Sequence, residues 1–130
     1  MLKSGLLNPS VLSLLARVRH TNTLVISDRG FPFWPTIETV DLSLIDDVPT
    51  VLQVLKAIRA QAVFGKAYMA EEFLAANEAP TRDAFAEALE GLDVTFESHE
   101  GLFKPRVPSA IGLIRTGDTT QYANIILQSA

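Results

Sequence analysis

The feature that most restricts this chain is an alternation of short apolar runs with stretches of helical periodicity along its whole length. Thr23-Leu-Val-Ile-Ser27 is nearly continuous in apolar and β-branched residues, the pattern of a strand buried on both faces. Ala110–Ile114 and Ala123–Leu127 read the same way, Ile37–Asp41 alternates weakly, and Lys66–Ala70 and Val94–Phe96 are shorter candidates. Between them, Asn8-Pro9 opens a helix with Asn8 as N-cap and Pro9 in the first turn. Its stripe of Val11, Leu12, Leu14, Leu15 and Val18 is expected to run to Arg19-His20-Thr21. A second helix covers Val51–Gln61, a short helical turn follows Glu71-Glu72 to Asn77, and a third helix starts at Pro80 and ends near Gly91. His99–Lys104 reads as one turn stopped before Pro105. Strands alternating with helices imply an α/β fold, here a three-layer α/β/α arrangement around a mixed, mostly parallel sheet. No repeat and no shift in composition divides the chain, so residues 1–130 are expected to form a single domain.

Composition removes several function classes. With 48% hydrophobic and 20% charged residues in 130, the chain is neither disordered nor long enough for two ordinary domains. The mean hydropathy of +0.22 is high for this size, and the apolar surplus points to burial between copies, a homo-oligomer. A net charge of −4 without a basic stripe argues against nucleic acid as a partner. The absence of cysteine excludes disulfides, zinc thiolates, iron–sulfur clusters and thiol catalysis, and fits a reducing cytoplasm. No run approaches the roughly 18 apolar residues of a membrane-spanning helix, and Met1–Leu7 lacks the apolar region of a secretory signal. The expected setting is the cytoplasm, without membrane contact.

The sequence has no glycine-rich nucleotide loop, no His-Glu-x-x-His helix and no Gly-x-Ser-x-Gly elbow. No metal site and no cofactor are expected. Attention falls on the two histidines. His20 is either a partial cap at the first helix end or an acid/base group able to exchange a proton near neutral pH. Asp28 follows the first strand, where open α/β sheets place ligands, though a turn aspartate is equally consistent. His99 is either a hydrogen-bond donor to a sugar hydroxyl or a solvated loop residue. If Tyr122-Ala123-Asn124 is extended, Tyr122 and Asn124 point to one side and can grip a polyol. Glu71-Glu72 and Asp46-Asp47 read as acidic helix starts. Phe33-Trp34 reads as an aromatic pair that either stacks on a sugar or plugs a neighbouring subunit.

Together these pieces resemble the ribose pyranase (ribose mutarotase) family and its relative, the fucose mutarotases. The matching segments are Leu15–Val25, Ser27-Asp-Arg-Gly-Phe-Pro32, Val48–Leu55, Ala70-Glu71-Glu72, Ser98-His99-Glu100, Ile114-Arg-Thr-Gly117 and Tyr122–Leu127. The resemblance implies an isomerase that interconverts pyranose and furanose forms of a free monosaccharide, ribose first, without a cofactor. It implies His20 as the catalytic proton donor, with Asp28, His99, Tyr122, Ala123 and Asn124 binding the sugar. It also implies a ring-based decamer with sites between subunits. The alternatives are anomer exchange on fucose and a non-catalytic relative that binds a sugar or a sugar phosphate. The last is suggested by Arg29, which stands where the family has a small residue and is expected either to lower the Asp28 pKa or to recruit an anion. Leu102-Phe103-Lys104 carries one residue more than the ribose enzymes.

Overall fold

The apolar runs become the strands of one mixed sheet in the computed structural model, which describes residues 1–3 and 5–130. The strands are β1 (Thr23–Ser27), β2 (Glu38–Asp41), β3 (Phe64–Ala70), β4 (Asp93–Glu97), β5 (Gly112–Arg115) and β6 (Ile125–Ser129), in the order β2-β5-β1-β6-β3-β4. β5 pairs parallel with β1 and β2, and β3 pairs parallel with β4. β6 runs antiparallel between β1 and β3 and joins the two parallel halves. The expected mixed, mostly parallel sheet is therefore present, with its last two strands displaced toward the C-terminus relative to the apolar runs. Gly112 replaces Ala110 as the start of β5, at a point where a Cβ would meet the Leu14 side chain at 2.7 Å.

Side chains alternate across the strands and divide the core in two. Leu24, Ile26, Ala67, Met69, Ile114, Ile125 and Leu127 face α1 (Pro9–Ala16), α2 (Val51–Arg59), α3 (Glu72–Ala76) and α4 (Ala79–Ala88). Val25, Leu113 and Ile126 face the other way, onto Phe31 and a segment carrying Phe103, Val107 and Ala110. That segment is irregular: a π turn His99–Phe103, α5 (Lys104–Arg106) and a 3₁₀ turn Val107–Ser109. The three layers are thus unequal: among the described residues four helices lie on one face and one short helical segment plus the 29–37 loop on the other.

Two local expectations change. The first helix stops at Ala16, because the Arg17 and Val18 N–H groups already turn to the Leu14 and Leu15 carbonyls, three residues back. His20 consequently lies in the following turn, beyond the helix end it was expected to cap. Pro105 does not end the turn at His99 but sits in the first turn of α5, where its missing N–H costs no hydrogen bond. The second helix is capped as a box by Thr50 and Gln53, not by Asp46-Asp47. Asp118, from the far end of the chain, supplies a further acceptor to the Val51 N–H at 2.8 Å.

Candidate functional site

All five parallel strands end on the same rim, and β6 starts there. The loops after β1 and β4 and before β6 therefore converge where the sheet switches between its two halves, the favoured ligand position in open α/β sheets. Asp28 comes from the loop after β1, His99 from the turn after β4, and Tyr122, Ala123 and Asn124 from the approach to β6.

Asn124, 2% exposed, clamps Asp28. Its side-chain oxygen accepts the Asp28 N–H at 2.8 Å, and its amide donates to the Asp28 carboxylate at 3.1 Å. The other carboxylate oxygen accepts the Gly30 N–H at 2.9 Å. Burial raises the Asp28 pKa above its ordinary value, against the opposing pull of Asn124, the Gly30 and Phe31 N–H groups and the Arg115 guanidinium. Arg115 also ties the loop itself, donating to the carbonyls of Arg29 and Pro32 at 3.2 Å each.

Of the two readings of Arg29, lowering of the Asp28 pKa is not what the structure shows. Its guanidinium pairs with Asp46 at 2.7 Å on the surface, and it is not among the groups that move the Asp28 carboxyl. The loop holding Asp46 is in turn stitched to the 116–120 loop. Asp47 accepts from the Thr119 N–H and hydroxyl at 2.9 and 2.8 Å, and Gly117 leaves no room for a Cβ against the Ile45 carbonyl.

His99 stands in an aromatic box. Its ring stacks on Phe103 at 5.7 Å and meets Tyr122 and Phe31 edge-on at 5.1 and 6.0 Å. Burial, and after it the Lys104 ammonium, lowers its pKa below 6.5, so the ring is neutral at pH 7. Its buried Nδ1 has no hydrogen-bond partner among the described residues. Tyr122 adopts φ 55°, so the approach to β6 is turned and not extended. Tyr122 and Asn124 nevertheless both reach this rim, the phenol ring against His99 and the amide against Asp28. Ala123, between them in the chain, is fully buried.

His20 is the residue that one copy does not bring to this rim. It is exposed at the opposite end of β1. Five residues of strand separate it from Asp28, about 15 Å before the loops are added. The rim carries a cavity of about 180 Å³ lined by Asp28, Arg29, Gly30 and residues 118–121, smaller than the ~300 Å³ at which ligand pockets usually begin. A larger apolar groove of about 450 Å³ lies between α4 and β4 on the helical face and includes none of these residues. Among the described residues no three His, Asp or Glu side chains converge as a metal site would require. Two contributors escaped the sequence reading. Glu72 accepts the His99 N–H, and Arg106 pins the segment after His99 by a two-pronged pair with Glu97 at 2.5 and 2.9 Å. Neither spacing carries a signal in the sequence, because both contacts cross between elements.

The whole chain, residues 1–130, matches the model of the RbsD / FucU transport protein family. It is 39% identical over 129 residues to the D-ribose pyranase of Corynebacterium glutamicum, covering 99% of this chain and 97% of that one. It is 41% identical to the D-ribose pyranase of Chromobacterium violaceum with the same coverage. Its fold superposes on Bacillus subtilis RbsD, solved in complex with D-ribose, with a TM-score of 0.92 at 32% identity, covering 100% of this chain and 98% of that one. The fold is also that of the fucose mutarotase of Streptococcus pneumoniae, with a TM-score of 0.79 at 20% identity, covering 98% and 94%.

Proposed function

The chain belongs to the RbsD / FucU transport protein family, and from that premise we propose that it is a sugar mutarotase, an isomerase that interconverts the pyranose and furanose forms of free D-ribose. The observation that carries the reading is the gathering of Asp28, His99, Tyr122 and Asn124 on one rim of a fold shared with a ribose-bound relative. A carboxylate, a neutral imidazole and a phenol there match the alternating donors and acceptors of a sugar.

Ring exchange breaks the bond between the anomeric carbon and the ring oxygen. The ring oxygen takes a proton while the anomeric hydroxyl gives one up; a different hydroxyl then adds to the carbonyl, and the protons return. His20 is the acid in this scheme. Asp28 accepts a sugar hydroxyl, His99 and Tyr122 orient the ring, and Asn124 fixes the Asp28 carboxylate. Acid–base catalysis worth about 10²–10⁴-fold is sufficient for so facile a reaction.

The position of His20 supports a site completed by a second copy of the chain, and so does the small size of the cavity within one copy. The family resemblance suggests the assembly is a ring-based decamer. In this reading the enzyme works in the cytoplasm, where a chain without cysteine suits the reducing conditions. The Arg29 guanidinium is already paired with Asp46, which favours a neutral sugar over a phosphorylated one.

The test is magnetisation exchange between the pyranose and furanose NMR signals of ribose, with His20→Ala as control. Faster exchange with the protein, lost in the variant while the oligomer stays intact, is expected. Binding of ribose without faster exchange would select a sugar-binding role; acceleration on fucose alone would move the substrate.

A further inference from the structure

His99 begins a helical turn, and the first N–H groups of such a turn have no partner within it. A side chain at the preceding position usually supplies one, but Ser98 makes no such bond. The acceptor comes from another element. Glu72, the first residue of α3, takes the His99 main-chain N–H on both carboxylate oxygens, at 3.0 and 3.2 Å. Among the described residues Glu72 has no cationic partner, so this N–H is what its charge serves.

Glu72 is itself held firmly. The Glu71 N–H donates to the Glu97 carbonyl at 2.8 Å, tying the start of α3 to the end of β4 directly before the His99 turn. Phe73 is buried against Phe85 at 4.7 Å. At the other end of α3, the Asn77 amide donates to the carbonyls of Phe73 and Gln121 at 2.9 Å each. Gln121 precedes Tyr122. One short helix therefore braces both sides of the aromatic contact: His99 through Glu72, and the Tyr122 approach through Asn77.

We infer that Glu72 is a positioning residue, which sets the His99 imidazole against Tyr122 at the sugar site by holding its main-chain N–H. The inference rests on the reading of His99 as a sugar-binding residue. It separates Glu72 from its neighbour: Glu71 only starts the helix, whereas the Glu72 carboxylate is committed to the site. The charges that face His99 are Glu100 and Lys104 on its own turn, Asp28 from the loop after β1 and Glu72 from α3. Lys104 and Glu100 largely answer each other at 2.6 Å, so Glu72 and Asp28 are the negative charges left facing the imidazole.

The experiment compares Glu72→Ala, Glu72→Gln and His99→Gln in the ribose exchange assay and follows the His99 ring by NMR, where only two histidines have to be distinguished. Glu72→Ala should raise KM about tenfold, the scale of one lost hydrogen bond, with kcat little changed. Glu72→Gln, which retains an acceptor, should restore KM while its His99 ring titrates at lower pH than in the parent protein. An unchanged KM in Glu72→Ala overturns the inference. Should that variant fail to fold, an unchanged His99 titration in Glu72→Gln overturns it instead. His99→Gln keeps the two readings apart: if it binds ribose normally, the sugar-binding role of His99 fails; if it loses ribose while Glu72→Ala does not, the role of Glu72 alone fails.

Discussion

Asp28 and His99 sit within one cluster, and burial shifts each toward its uncharged form: the carboxyl pKa rises and the imidazole pKa falls. For His99 the consequence for stability has a definite sign. Its pKa in the folded protein lies below the 6.5 of the free side chain, so the unfolded chain binds the proton more readily. The stability that goes with neutral His99 is fully present above pH 6.5 and is lost as pH falls through the lowered folded value. Thermal melts of the parent protein and His99→Gln should therefore differ by a constant amount above pH 7, and the parent should lose ground to the variant as the solution is acidified below 6.5. A difference that does not change with pH would mean that the ring is not buried neutral.

The element that matters most for the site is the irregular segment after β4. The Phe103 N–H reaches back to the Ser98 carbonyl and the Lys104 N–H to that of His99, the five-residue spacing of a π turn. Single π turns of this kind occur frequently at functional sites. The segment is the only helical cover on its face of the sheet among the described residues. Ser27 Oγ, Trp34 Nε1, Thr39 Oγ1 and His99 Nδ1, the buried side-chain atoms without partners, belong to that same thinly covered face. What secures the segment is Arg106, which stacks over Tyr68 at 4.0 Å while pairing with Glu97, whose side chain is 5% exposed. Arg106→Ala leaves a buried carboxylate without its partner. The expected loss is about 2–3 kcal/mol, below that of a fully buried pair because Arg106 is 41% exposed. Hydrogen exchange should accelerate across residues 98–109 while the β1–β5 pairing stays protected. Uniform acceleration would assign the pair to global stability instead.

At the scale of the whole molecule, the opposite placement of His20 and Asp28 along β1 leads to a prediction about assembly. Exposed Phe33, Leu44, Ile45 and Leu102 add an apolar surface that a second copy is suited to cover. If the acid of each site comes from a neighbouring copy, His20→Ala and Asp28→Asn are each inactive alone. Unfolded together and refolded as mixed oligomers, they should recover part of the exchange activity, since some sites then draw an intact His20 from one copy and an intact Asp28 from another. No recovery in oligomers shown to be mixed would place both residues in one copy. Light scattering on the parent protein should show a particle many times the 14.2 kDa chain.

Local chemistry makes much of this protein legible in its sequence. The Thr23–Ser27 strand, the Asn8-Pro9 helix start and the α/β class follow from side-chain period, capping and β-branching, which act over a few residues and leave their mark in order along the chain. Asp28, His99, Tyr122 and Asn124 stood out because they are functional residue types at strand ends and within recognisable segments. What stayed hidden depends on pairing between distant parts. Residues 28 and 124 share hydrogen bonds across 96 positions, and Glu72 meets His99 across 27; no local spacing encodes either contact. The antiparallel insertion of β6 between β1 and β3 brings the first and last strands side by side and sets Asn124 on Asp28. The same sheet puts His20 at the opposite end of β1, because a strand carries its two ends apart by its own length. Sequence determined which side chains are available and which elements carry them; tertiary structure alone decided which of them meet.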